Sequence, residues 1–206
     1  MLYEIEWESA RASVIELHTD ACETGAGAVC GTQWWAHPWS ADQLSAARDV
    51  ATTGADLNLT TGVTDPQQAT STRSTNSSGS GTGDSGGEQK QRRSMPYLEL
   101  LALTMAAATW GHQWKRKRIR FHNDCQPVVQ AVTKGSSRSP ILMTLIRQLH
   151  FIAATHEFEF KVEHIRGVTN DAADALSRGD QVRFRSVHLE ADPSPTIPLL
   201  PPTLDC

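Results

Sequence analysis

The stretch SVIELHTDACETGAGAVCGTQWWAHPWS, residues 13–40, decides the fold. Residues 13–19 are rich in β-branched side chains and set Ile15 and Leu17 on one alternating face, so they read as a strand with Asp20 at its end. Gly25 and Gly27 read as a turn, 28–35 as the return strand, and 35–40 as a short third strand that Pro38 places near a sheet edge. Strands joined by connections this short pair antiparallel.

Working outward, the composition changes after Ser40. Between Val63 and Met95 the only apolar residue other than proline is Ala69, and 14 of the 20 residues from Ser71 to Lys90 are Ser, Thr or Gly. Such a stretch buries too little apolar surface to offset about 1–2 kcal/mol per residue of backbone entropy. The expectation is a low-complexity insertion over 41–94, disordered over about 52–94, with the composition of a linker or a mistranslated intron. Residues 1–11 form an N-terminal extension. Residues 180–206, with five prolines after Asp192, read as an extended Pro-rich tail.

The folding part is then 12–40 with 95–179, roughly 115 residues and enough for one core. Ser94, Met95 and Pro96 open a helix whose Leu98, Leu101, Met105 and Ala108 recur at helical spacing as far as Trp110. Ile119 and Phe121 alternate with Arg120 and His122 as a strand. Val128, Val129 and Val132 mark a short helix closed by Gly135. Ser139 and Pro140 begin a longer helix, 157–164 alternates as a strand, and Asn170 caps a last helix over 171–178. The order β-β-β, insertion, α, β, α, α, β, α predicts an α/β layered domain, with the later strands parallel to the first.

Bulk properties exclude several functions. No apolar run approaches the roughly 20 residues of a membrane span. MLYEIEWESARASV at the start is acidic and has no apolar signal core, so an intracellular protein, nuclear or cytoplasmic, is expected. The four cysteines, Cys22, Cys30, Cys125 and Cys206, lack CxxC spacing and read as reduced thiols. A net charge of −4 argues against gripping nucleic acid by bulk charge. It conceals a local basic excess, however. Residues 111–148 hold eight Lys or Arg against one acid, Asp124, and Lys115, Arg116, Lys117, Arg118 and Arg120, with Asn123, form a candidate nucleic-acid surface.

Four acids sit at element ends: Asp20, Glu99, Asp124 and Asp174. If the first and fourth strands are neighbours, Asp20 and Asp124 leave one sheet edge together, and the two helices bring one carboxylate each. Clustered carboxylates repel unless a cation neutralises them. Hard oxygen ligands without thiolates suit Mg²⁺ or Mn²⁺. A pair of such ions clamps a phosphodiester and activates water.

The local contexts of these acids strengthen the reading. HTDACETGAGAV, YLELLALTMAA, IRFHNDCQPVVQAV and HIRGVTNDAADALSR together resemble the ribonuclease H domain of retroelement reverse transcriptases. The last string is the most specific and is similar to the closing motif of gypsy-type and DIRS-type elements. KGSSRSPILMTLIRQLHFIAATHEF resembles the DIRS-like elements that encode a tyrosine recombinase. The resemblance implies a ribonuclease H-like mixed five-stranded sheet, antiparallel over the first three strands and parallel among the first, fourth and fifth, flanked by helices. It implies that Asp20, Glu99, Asp124 and Asp174 hold two Mg²⁺ or Mn²⁺ ions and that His164 assists proton transfer or product release. It further implies hydrolysis of the RNA strand of an RNA–DNA hybrid, with reverse transcriptase and recombinase domains of a parent polyprotein as partners.

The chain departs from that family in its long insertion and in lacking a YxDD polymerase motif. Two other readings stay open. One is an inactive nucleic-acid-binding or interaction remnant. The other is a transposase or integrase of the same superfamily, against which the acid order Asp, Glu, Asp, Asp stands.

Overall fold

A computed structural model describes residues 14–52 and 94–203. Five strands, β1 (Val14–Ala21), β2 (Gly25–Cys30), β3 (Gln33–Pro38), β4 (Arg118–Asn123) and β5 (Glu159–His164), form one sheet in the order β3-β2-β1-β4-β5. β1, β2 and β3 pair antiparallel, while β1, β4 and β5 pair parallel. This is the ribonuclease H-like arrangement that the sequence implies. The parallel register sets His18 against His122, and two residues further on it brings Asp20 beside Asp124.

Among the described residues, six helices flank the sheet: α1 (Ala41–Thr52), α2 (Met95–Trp110), α3 (Gln126–Lys134), α4 (Pro140–Thr155), α5 (Asp171–Ser177) and α6 (Gln181–Val187). α2 lies at the centre. Thirteen of its 16 residues are buried, since it packs on β1 and β2 and is covered by α1, α3 and α4. An all-round apolar helix is stable only when enclosed in this way. The second face of the sheet carries α5, which packs on β1, β2 and β3, with α6 against it. β2 and β3 divide their side chains between the two cores. Ala28 and Trp35 face α2, while Val29 and Trp34 join Ala175, Leu176 and Phe184 on the other side.

The helix ends follow local chemistry. The Ser94 hydroxyl accepts from the Tyr97 amide and that of Ser139 from Leu142. Gly135 at φ +63° closes α3, where a side chain would be strained.

Several expectations are corrected here. Gly25 and Gly27 make no turn and lie within β2. The reversal before them is a backbone bond from Cys22 N–H to Gly25 O, and the tight β2–β3 turn uses Gly31 at φ +60°. Glycine is needed in β2 for space. A Cβ on Gly27 would lie 2.4 Å from the Leu176 Cβ and 2.8 Å from the Ala173 carbonyl oxygen, because α5 sits directly on this backbone. Residues 41–52 of the expected insertion form α1, with Ala47 and Val50 fully buried and the Ser94 amide bonded to the Ala47 carbonyl at 2.9 Å. The rest of the insertion and residues 1–11 fall outside the described residues.

The 180–206 segment also departs from a simple extended tail. It contains α6, whose Phe184 is fully buried against Trp34, and beyond it the chain is tied to the domain. Trp34 Nε1 donates to Asp192 O, Thr196 N to Trp34 O, Leu199 N to Thr109 Oγ1, and Gln148 Nε2 to Pro202 O. Arg185 stacks over Trp34 and donates to the carbonyls of Ala191, Asp192 and Pro193. Prolines suit this segment, because its carbonyls accept and few of its amides need to donate.

Candidate metal centre

Asp20 leaves β1, Asp124 follows β4, and Glu99 projects from the first turns of α2. One carboxylate oxygen from each lies within 4.8 Å of the other two. Asp20 and Glu99 are 5% and 4% exposed, so like charges meet where water screens them poorly. Burial, reinforced by the charge of Asp20, holds the Glu99 carboxyl well above its ordinary range, against the opposing hydrogen bond from Asn123. Burial likewise raises Asp20 to about 6, with Asp124 and Asp174 adding to the rise and the Ser177 hydroxyl opposing it. Three hard oxygen donors this close together, with the Asp20 and Glu99 carboxyls held neutral more readily than usual, are a donor set that a divalent cation satisfies, so these residues fit Mg²⁺ or Mn²⁺.

Neutral side chains hold the acids in place. Asn123, expected on the nucleic-acid surface, is fully buried instead. Its Nδ2 donates to Glu99 Oε2 at 2.8 Å and faces Thr19 Oγ1 at 3.3 Å, while its Oδ1 accepts from the Cys125 amide. Both ends of the amide are engaged within the protein, and the side chain does not reach the surface. Ser177 Oγ donates to Asp20 Oδ2 at 2.5 Å, and Cys22 Sγ reaches Ser177 O at 3.0 Å. Asn170 occupies the position before α5, but its side chain does not cap the helix. It donates to Thr19 O at 2.8 Å and so ties the last helix to β1 beside Asp20.

Asp124 is bounded by the loop after β5. His164 Nε2 lies 3.1 Å from the Asp124 carbonyl oxygen, and a Cβ on Gly167 would come within 2.9 Å of Asp124 Oδ2. His164 is exposed, and its ring meets the main chain of Asp124.

Asp174 stands apart from this group of three. Its Oδ1 accepts from Arg178 Nε at 2.7 Å and its Oδ2 from Arg183 Nη1 at 2.7 Å. Partial burial opposes its ionisation, but these two bonds outweigh that and hold its carboxyl below the usual range. Arg183 also pairs with Asp171. Arg183 could not be found from sequence, because it lies on a helix within the segment read as a tail.

The basic residues lie elsewhere. Lys115, Arg116, Lys117 and Arg118 precede or open β4, whereas Asp124 follows its far end, roughly 20 Å away at about 3.3 Å per residue. Three of the expected cations are paired: Lys115 with Glu157, Arg118 with Glu159, and Arg120 with Glu16 and Glu163. Trp34, Trp35 and Trp39 are buried and stack on no exposed surface.

A family model described as reverse transcriptase-like matches residues 80–179. The match takes in Glu99, Asp124 and Asp174 and leaves out the meander that carries Asp20. A solved ribonuclease H1 from the halophilic archaeon Halobacterium salinarum NRC-1 aligns with 82% of this chain and 98% of its own, at 12% identity and a TM-score of 0.44. No curated protein matches the chain. The ribonuclease H-like domain described here thus rests on its own strand order, pairing and carboxylate geometry.

Proposed function

We propose that this chain is a divalent-metal-dependent endonuclease that hydrolyses the RNA strand of RNA–DNA hybrids, as the ribonuclease H part of a gypsy-like or DIRS-like retroelement polyprotein. The observation that carries the proposal is the convergence of Asp20, Glu99 and Asp124 at the end of the parallel β1–β4 pair. The family match over 80–179 and the HIRGVTNDAADALSR motif support the retroelement setting.

Asp20, Glu99 and Asp124 would hold the cation, with Asp174 the fourth carboxylate for a second. Bound there, Mg²⁺ or Mn²⁺ supplies Lewis acidity toward the phosphodiester and an attacking water. Asn123 fixes the orientation of Glu99, and Ser177 that of Asp20. His164, exposed and anchored to the Asp124 main chain, would be the group that moves a proton at its imidazole. Contact with 2′-hydroxyls would distinguish RNA from DNA. The Lys115–Arg120 region, at the other end of β4, would meet the hybrid backbone away from the scissile phosphate.

The second reading is an inactive nucleic-acid-binding remnant, and the capture of both Asp174 oxygens by arginines favours it. A hybrid-cleavage assay with Mg²⁺ or Mn²⁺ separates the two. Cleavage of the RNA strand by the wild type, abolished by Asp20→Asn with Asp124→Asn, is the expected result. Equal cleavage by that double variant refutes the metal-centre assignment, and hybrid binding without cleavage by the wild type establishes the remnant.

A further inference from the structure

Asp174 already has a counter-charge supplied by the chain itself. Each of its oxygens accepts from a different guanidinium, Arg178 one helical turn along α5 and Arg183 from α6. The two arginines are held differently. Arg178 is 60% exposed and forms an i,i+4 pair, a contact that is weak at a surface. Arg183 is anchored. Its amide donates to the Asp180 side chain at the start of α6, the following residue Phe184 is buried against Trp34, and its second nitrogen is taken by Asp171. Its guanidinium is therefore shared between two acids of the first turn of α5, with Asp174 only 20% exposed. Meanwhile Asp20, Glu99 and Asp124 converge without Asp174.

We propose that Arg183 is a positioning residue that acts as a latch, competing with a second divalent cation for Asp174. In this arrangement the three-carboxylate set takes a first cation with the latch closed. A second cation is accommodated when the Arg183–Asp174 bond opens, and Arg183 then stays on Asp171, so the chain keeps one ion pair throughout. The inference rests on the metal-centre reading above and assigns the order and relative strength of the two binding events.

The test is Mn²⁺ binding to the full chain, followed by calorimetry and by the EPR signal of free Mn²⁺, with no nucleic acid present. The wild type is expected to take one Mn²⁺ tightly and a second weakly. Arg183→Ala is expected to tighten the second event by roughly two- to fivefold, the scale of a partly exposed ion pair, and to leave the first unchanged. Arg183→Lys is expected to restore wild-type behaviour, which a purely structural role for the side chain would not predict. Arg183→Gln keeps most of the stem and serves as the neutral variant if alanine disturbs α6. Superimposable second events in the wild type and the neutral variants overturn the latch while leaving the three-carboxylate site standing. Absence of any Mn²⁺ binding by the wild type overturns both.

Discussion

Asp20→Asn is expected to stabilise the metal-free protein at alkaline pH while destroying its metal site. Burial raises the Asp20 carboxyl from 3.8 to about 6 in the native state. Between about pH 4 and 6 the native protein therefore holds a proton that the unfolded chain has released, and stability falls as pH rises through that window. The difference corresponds to about 3 kcal/mol once both states are ionised. Asparagine removes the ionisation but keeps an oxygen to accept from Ser177 Oγ, and it also withdraws the charge that Asp20 exerts on Glu99. Urea unfolding in EDTA, followed by tryptophan fluorescence from pH 4 to pH 8, measures the effect. The variant should match the wild type near pH 4 and exceed it by about 1–3 kcal/mol at pH 8. Millimolar Mg²⁺ should then close the gap by stabilising the wild type alone. A variant that is less stable than the wild type at pH 8, or a gap that does not change with pH, refutes the reasoning.

Two further substitutions probe how the acids are held. Gly27→Ala places a methyl against the α5 backbone, and overpacking of this kind costs about 1–3 kcal/mol, measurable as a lowered urea midpoint with unchanged slope. Gly167→Ala pushes on Asp124 Oδ2 from the open side of the loop, so it should weaken Mn²⁺ binding several-fold while shifting the melting temperature little, and an unaltered isotherm would count against the placement of Asp124.

β1, β4 and β5 were legible because they are decided locally, whereas the β2–β3 turn at Gly31 falls inside the stretch 28–35 that reads as one strand. Ile119 and Phe121 are fully buried while Arg120 and His122 lie on the other face, and the same alternation runs through β5. The caps at Ser94, Ser139 and Gly135 were legible for the same reason, since each depends on residues within one turn. What could not be read depends on contacts distant in sequence. Gly25 and Gly27 look like a turn until α5, some 150 residues later, is known to need their missing side chains. Asn123 looks like a ligand-facing polar residue until Glu99 and Thr19 are found at its amide. Asn170 keeps its place before α5, but it bonds across to β1 and not along the helix. Prolines after Asp192 correctly exclude a helix there, but composition says nothing of the carbonyls that Trp34, Gln148 and Arg185 use to tie the segment down. The candidate site divides in the same way. Asp20, Glu99 and Asp124 follow from strand ends and a helix start, whereas the tethering of Asp174 needs α6.

The bond from the Ser94 amide to the Ala47 carbonyl has a bearing on how this chain could change in length. Thr52 lies only five residues beyond Ala47 on α1, so the two points where the described chain stops and resumes stand less than about 10 Å apart, at 1.5 Å of rise per helical residue. A link across a base this narrow carries a closure entropy that grows only with the logarithm of its length. Glu99 begins its turn of α2 from the fixed side of that base. A change in the length of chain between 52 and 94 would leave this anchoring bond, and Glu99 just beyond it, in place.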